Sequence, residues 1–400
     1  MSSAIKLVLE NYRSFPSATL DFDNPLFLVG RNGSGKSNLA NAFSLLADAM
    51  VFPLQDVFNR RGGARSICHR TGGDKPTQFG MRIDFGQMDG AEGGSFAFMV
   101  VALPNHRIRI VREQARCKIG GKLWFYDRDI DLQHRAANGI ETISYNLNTN
   151  SGLNPDVGLA TLCLPLIGGD SRFAPLFRAL RAMRVYSISP AMLREPQDPD
   201  DGLALKADGS NAASVLRELA GTPDAAEINQ MLGAIVPATT GVSPETQGNK
   251  LGLAFTQQWP GQSHRFNASD MSDGTLRSLG LILSVYQRPS PSLLVIEEPE
   301  ATIHPGALGA ILDLIRLATK RTQVVVTTHS PELLDNKWIK DNNLRLVCWE
   351  NGASRVLLPS EATRQTMRQH LMWAGELLRS DALRPDVEGL ADSDLFEDYK

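Results

Sequence analysis

One short segment limits this chain more than any other: Gly30, Arg31, Asn32, Gly33, Ser34, Gly35, Lys36 and Ser37 follow the apolar run LFLVG at 26 to 30 and open an apolar-periodic stretch from Lys36 to Met50. A buried strand, a glycine-rich turn and a helix in that order match the GxxxxGK[ST] phosphate loop, whereas a chance glycine turn would lack the two flanks. The glycines allow successive backbone N–H groups to turn inward around the α- and β-phosphates, and the helix N-terminus adds the positive end of its dipole. Lys36 is expected to reach the β- and γ-oxygens and Ser37 to place its hydroxyl on Mg²⁺, with Asn38 completing the ATP-binding set. A loop of this kind belongs to an α/β fold with a mainly parallel sheet.

The rest of the chain fits that expectation. Strands are read at 4 to 9, 18 to 22 and 26 to 30, and β-rich runs separated by turn residues fill about 76 to 148, which predicts an antiparallel lobe. From Pro155 to Arg184 the pattern turns helical, and the loop EPQDPDDG at 195 to 202 reads as an exposed excursion. Helices at roughly 211 to 236 and a strand LGLAFTQQ precede a dense α/β series: a helix after Ser272, strands at 293 to 298 and 323 to 329 with a helix near 306 to 318 between them, and an edge pair at 344 to 358. An amphipathic helix around 361 to 378 and an acidic, solvated end close the chain. Three parts are expected: residues 1–85 as the N-terminal part of an ATPase head, 86–185 as a β-rich then helical insertion, and 186–400 as the C-terminal part.

Three further segments carry chemistry. LLVIEEPE at 293 to 300 reads as a buried strand delivering carboxylates to its C-terminal edge, with Glu297 holding the metal through water and Glu298 orienting the attacking water. Glu297 stands where most such enzymes carry aspartate, and the extra methylene is expected to slacken the metal geometry and slow turnover. His329 ends the next strand, in position to sense the γ-phosphate by hydrogen bond, while His304 before Pro305 is read either as part of a protomer-to-protomer loop or as a turn residue. MSDGTLR at 271 to 277 places Ser272, Asp273 and Gly274 at a helix start. That is a good N-cap, and it is also an anion site able to face a triphosphate held by a second copy.

Composition excludes little and supports a globular chain, with 42% apolar and 21% charged residues. The net charge of -3 argues against a uniformly basic nucleic-acid coat but leaves local basic stripes open, and two are visible at 60 to 70 and 178 to 184. The four cysteines form no CxxC pair, so neither zinc nor a disulfide framework is signalled and a reducing cytoplasm is the expected compartment. No stretch approaches the roughly 18 apolar residues that span a bilayer, so no membrane contact is expected of this chain itself.

In order and spacing, GRNGSGKS, MSDGTLR, LLVIEEPEATIHP and TTHS resemble the ABC-type ATPase heads of the SMC, RecF and OLD families. The SDGTLR and EEPE variants, the opening LENYRSFPSATLDF, and VLRELAG preceded by DGSNAA are similar to the compact prokaryotic OLD group, which includes ATPase partners of anti-phage systems such as PARIS. The resemblance implies an ABC-type P-loop NTPase that hydrolyses ATP with Mg²⁺. It further implies closure as an ATP-bridged homodimer and switching of a nucleic-acid-linked defence or repair complex through a separately encoded effector, with DNA left open as a partner. Arg13 or Phe15 would border the base, and the glutamine loop falls to Gln55 or Gln78. No sustained heptads occur between 86 and 260, and the residues after TTHS are too few for the nuclease domain of full-length OLD proteins. The competing readings are a transport ATPase and a weakly active ATP-binding scaffold.

Overall fold

The computed structural model describes residues 3–70, 76–131, 144–387 and 394–396. Much of the acidic end read from the sequence lies outside them.

A six-stranded sheet forms the centre, in the order Ala353–Leu357, Leu344–Glu350, Leu26–Val29, Gln323–Thr328, Leu293–Glu297 and Arg184–Tyr186. All pairs are parallel except the first, an antiparallel edge hairpin, as expected from the sequence at 344 to 358. Alternation along these strands divides the core into two. Leu26, Leu28, Leu293, Val295 and Val325 face one cluster, together with the helix Lys36–Ala49. Phe27, Val29, Leu294, Ile296, Val324 and Val326 face the other, with the helices Asp273–Tyr286 and Leu308–Ala318. Strands covered on both faces read as continuous apolar runs, which is why LFLV and LLVI are so legible in the sequence.

The first cluster is shared with a seven-stranded antiparallel sheet, ordered Phe15–Asp21, Ala4–Tyr12, Gln78–Phe85, Gly93–Ala102, Ile108–Ile119, Lys122–Asp131 and Ser144–Thr149. The division at residue 85 falls between two hydrogen-bonded neighbours of this sheet. A third sheet, Thr239–Gln247, Lys250–Trp259 and Gln262–Asn267, leads directly into the helix that starts after Ser272.

Three local readings are corrected. Between Pro155 and Arg184 only Leu164–Ile167 and Ala174–Arg181 are helical, because prolines and glycines interrupt the run. The helix read at 361 to 378 breaks into Glu361–Arg368 and Ala374–Arg379, with His370 between them at φ 56°. The loop at 195 to 202 is not fully solvated: Gln197 is buried, pairs through its backbone with Leu251, and its amide bonds Met192 O, Gly209 O and Ala213 N.

Candidate functional site

Gly33 and Gly35 take φ values of 78° and 113°, a left-handed region that a side chain would strain, and Gly35 also packs against Ser354. Ser354 fixes the loop from the edge hairpin, its hydroxyl donating to Ser34 O at 2.7 Å and its N–H to Ser14 O at 2.7 Å. Lys36 is only 4% exposed, and its ammonium donates to Gly30 O at 2.8 Å and Arg31 O at 3.1 Å. Burial lowers its pKa, and the nearby carboxylates Glu298 and Glu300 act in the opposite direction. The Ser34 hydroxyl is buried without a partner, so the loop offers an unspent polar group beside its lysine. Asn32, Gly33, Gly35, Lys36, Ser37, Asn38 and Glu298 line one cleft of about 310 Å³.

The acids arrive from the end of the Leu293–Glu297 strand and the turn after it. Glu297 shares the face of Leu293 and Val295, which directs it toward the phosphate-loop helix, where the Ser37 hydroxyl hydrogen-bonds to it. Burial raises its pKa, Ser37 lowers it, Glu298 raises it and Arg277 lowers it. A serine hydroxyl next to a carboxylate is a hard-oxygen set that suits Mg²⁺. Glu298 follows at φ 43°, an uncommon conformation for a side-chain-bearing residue, with its N–H donating to Thr327 O at 3.0 Å. His329 Nδ1 lies 3.4 Å from Glu298 Oε1 and 3.8 Å from Glu300 Oε1. Glu300 accepts from the Thr328 hydroxyl at 2.6 Å and from the His329 N–H at 3.3 Å, which fixes the histidine to the turn after the acidic strand.

Ser272 and Asp273 are exposed. The Ser272 hydroxyl accepts from Thr275 N–H at 3.2 Å, so the N-cap expected from the sequence is formed. Gly274 is needed for close approach: a Cβ there would meet Thr302 O at 2.6 Å. One turn on, Arg277 donates to Ile188 O at 3.0 Å, Glu297 O at 3.1 Å and Glu298 O at 2.9 Å, and thereby ties this helix to the acidic strand.

Some sequence candidates are employed elsewhere. His304 is exposed and caps a short turn, its Nδ1 accepting from Gly306 N–H at 3.1 Å, as the turn reading expected. Phe15 is fully buried core, so it borders no ligand, whereas Arg13 reaches Asn38 and Asn41 of the phosphate-loop helix at 3.1 and 3.3 Å. Gln55 bonds Asn59 and His106 O, and neither it nor Gln78 lines the cleft. In the basic run at 60 to 70, Arg61 pairs with Asp48 and Arg60 lies over Phe52. Arg178, Arg181 and Arg184 of the other run converge with Arg321 on a larger cleft of about 680 Å³. Sequence reasoning missed Arg277, Glu300 and Ser354, whose roles arise only from long-range packing. The one available signal was the acid at the end of EEPE.

Arranged in this way, the chain is similar over 91% of its length to a structure described as the SmcHead bound to the C-winged helix domain of ScpA, covering 99% of that chain at 12% identity with a TM-score of 0.55. The fold is that of an SMC head. A Pyrococcus furiosus Smc head domain with an extended coiled coil, bound to the C-terminal domain of ScpA, matches 93% of the chain and 100% of its own at 14% identity and TM-score 0.55. Two family models match parts of the chain: "AAA domain" over residues 6–143, and "AAA domain, putative AbiEii toxin, Type IV TA system" over residues 158–335. Over 40 residues the chain is 55% identical to the DNA replication and repair protein RecF of Rickettsia canadensis and, equally, of Rickettsia felis. That match spans 10% of this chain and 11% of those relatives. Together these likenesses support an ATPase of ABC/SMC type. Among the described residues no helix is long and apolar enough to cross a membrane.

Proposed function

We propose that this chain binds ATP with Mg²⁺ and hydrolyses it between two copies arranged head to tail, as the switch of a nucleic-acid-linked complex. One observation carries the reading: a phosphate loop built around buried Lys36 occurs in the same chain as a helix tip whose Ser272 and Asp273 are exposed and which Arg277 ties to the acidic strand. The loop N–H groups and Lys36 hold the triphosphate in one copy, and the tip of the other copy supplies the Ser272 hydroxyl and Gly274 N–H to its γ-end. Ser37 and Glu297 would hold Mg²⁺, which when bound supplies charge neutralisation of the phosphate oxygens. Glu298 orients the attacking water and accepts its proton. His329, held by Glu300, donates a hydrogen bond to the γ-phosphate.

The test is a Glu298→Gln protein with MgATP, followed by light scattering: a stable dimer is expected, and a monomer at saturating ATP overturns the reading. The defence or repair setting and a separate effector are supported by the motif variants, by the RecF likeness and by the family description naming a toxin and a type IV TA system. Contact with a phosphate backbone is assigned to Arg178, Arg181 and Arg184, and turnover is expected to rise on adding DNA. A second reading, a slow ATP-binding scaffold, is favoured by Glu297 itself, a glutamate whose extra methylene slackens the geometry available to the metal. Steady-state turnover with and without DNA separates the two.

A further inference from the structure

The helix tip carries an acid where a second copy's triphosphate would arrive. Asp273 follows Ser272 directly, it is exposed, and a carboxylate beside a γ-phosphate repels it. The chain answers this charge from an element far away in sequence. Arg194, the last residue of the short helix Pro190–Arg194, places Nη2 at 2.5 Å from Asp273 Oδ1. Its Nη1 donates to Ser269 O at 3.0 Å and Met271 O at 2.9 Å. One planar guanidinium therefore spans the turn before the tip and the first residue of the helix, a fork that a lysine ammonium cannot reproduce. Ser272 lies between these anchors, and its own hydroxyl bonds only to Thr275 within the helix. Arg277, one turn on, is committed elsewhere, to the carbonyls of Ile188, Glu297 and Glu298.

We propose that Arg194 is a positioning residue for the trans-acting tip: it holds the Ser269–Asp273 turn in register and cancels the Asp273 charge, so that Ser272 and Gly274 can face the partner copy's triphosphate. The proposal rests on the ATP-bridged dimer described above. It does not require Arg194 to touch nucleotide.

The test uses the full chain carrying Glu298→Gln, with Arg194→Ala, Arg194→Lys, Asp273→Asn and Arg194→Ala/Asp273→Asn added in turn. The readouts are ATP-driven dimerisation by sedimentation, ATP affinity of the monomer at high dilution, and the thermal transition. Because the pair is partly exposed, Arg194→Ala is expected to weaken dimerisation about tenfold, with monomer affinity unchanged. Lys, which keeps the charge but not the fork, is expected to fall between Ala and wild type. Asp273→Asn in the Ala background is expected to recover a substantial part of the loss, and raised salt to narrow the Ala defect, since both remove or screen the uncancelled charge. If the Glu298→Gln parent dimerises with ATP and Arg194→Ala dimerises equally well, the Arg194 role is wrong while the dimer stands. The role is equally wrong if Asp273→Asn gives no recovery. If the parent stays monomeric, the dimer reading itself fails and takes this one with it.

Discussion

The phosphate-loop half of the site and the half around the Ser272 helix tip are built on opposite terms. Around Lys36 the anchors are enclosed even though Arg31, Asn32, Gly33 and Ser37 face outward: the lysine is buried, its ammonium is bonded to Gly30 and Arg31 carbonyls, and Ser354 and Ser14 lock the loop from behind. Around Ser272 the side chains face outward, and stability comes from behind, through Arg194, the Thr275 cap and Arg277. A cradle anchored from within can hold a phosphate by itself, whereas in the proposed dimer an exposed tip supported only from its rear is left for the second copy. The contrast teaches that burial marks what a protomer finishes by itself, and exposed capping groups mark what it offers.

Substitutions can break or sharpen this contrast. The largest effect is expected from Glu298→Gln, with steady-state turnover falling ~100- to 10,000-fold while ATP binding is retained, measured by phosphate release. Lys36→Ala comes next: it removes the buried cation of the enclosed half and should weaken ATP binding about 100-fold by calorimetry, with unchanged binding showing that the cradle does not work as described. Arg277→Ala takes the guanidinium from the Ile188, Glu297 and Glu298 carbonyls, the last of which keeps the Ala301 N–H, and a loss of about 1 to 2 kcal/mol is expected in urea unfolding. Ser272→Asp separates capping from recognition, because Asp caps a helix as well as Ser does: the melting temperature should stay put while ATP-driven dimerisation weakens about tenfold. The smallest effect lies outside both halves. The Arg172 guanidinium bonded to Asp170 holds that carboxyl down at about 2, against an ordinary 3.8. Its contribution is fully present above the ordinary value and is lost as pH falls through about 2, so Asp170→Asn should cost stability at pH 6 and nothing near pH 1.5, by less than about 1 kcal/mol because the pair is solvent-screened.

The enclosed half was also the legible half. LFLVG and LLVIEE announce themselves because strands covered on both faces must be apolar throughout, and the glycines of the loop are required by backbone angles that few other residues take. The supports of the exposed half were not legible: Arg194 lies 79 positions from Asp273, and no local pattern marks an arginine that will meet a distant turn. For the same reason Glu300 passed unremarked, as its work depends on Thr328 from the neighbouring strand. The helix read through 361 to 378 failed for a local reason, since His370 takes a positive φ that ends one helix before Ala374 starts the next. Gln197 shows that a proline- and aspartate-rich loop can still bury one residue deeply when its amide satisfies backbone groups on three sides.

The bare Cα of Gly274 rests against the carbonyl of Thr302, four residues beyond Glu298, with no room for even a methyl group between them. Such a contact behaves like meshed gear teeth with no backlash. Any shift in the turn that follows the acidic strand must push the Ser272 tip, so in the proposed ATP-bridged dimer events at the γ-end of one triphosphate would be mechanically audible at the tip that the same chain extends toward its neighbour.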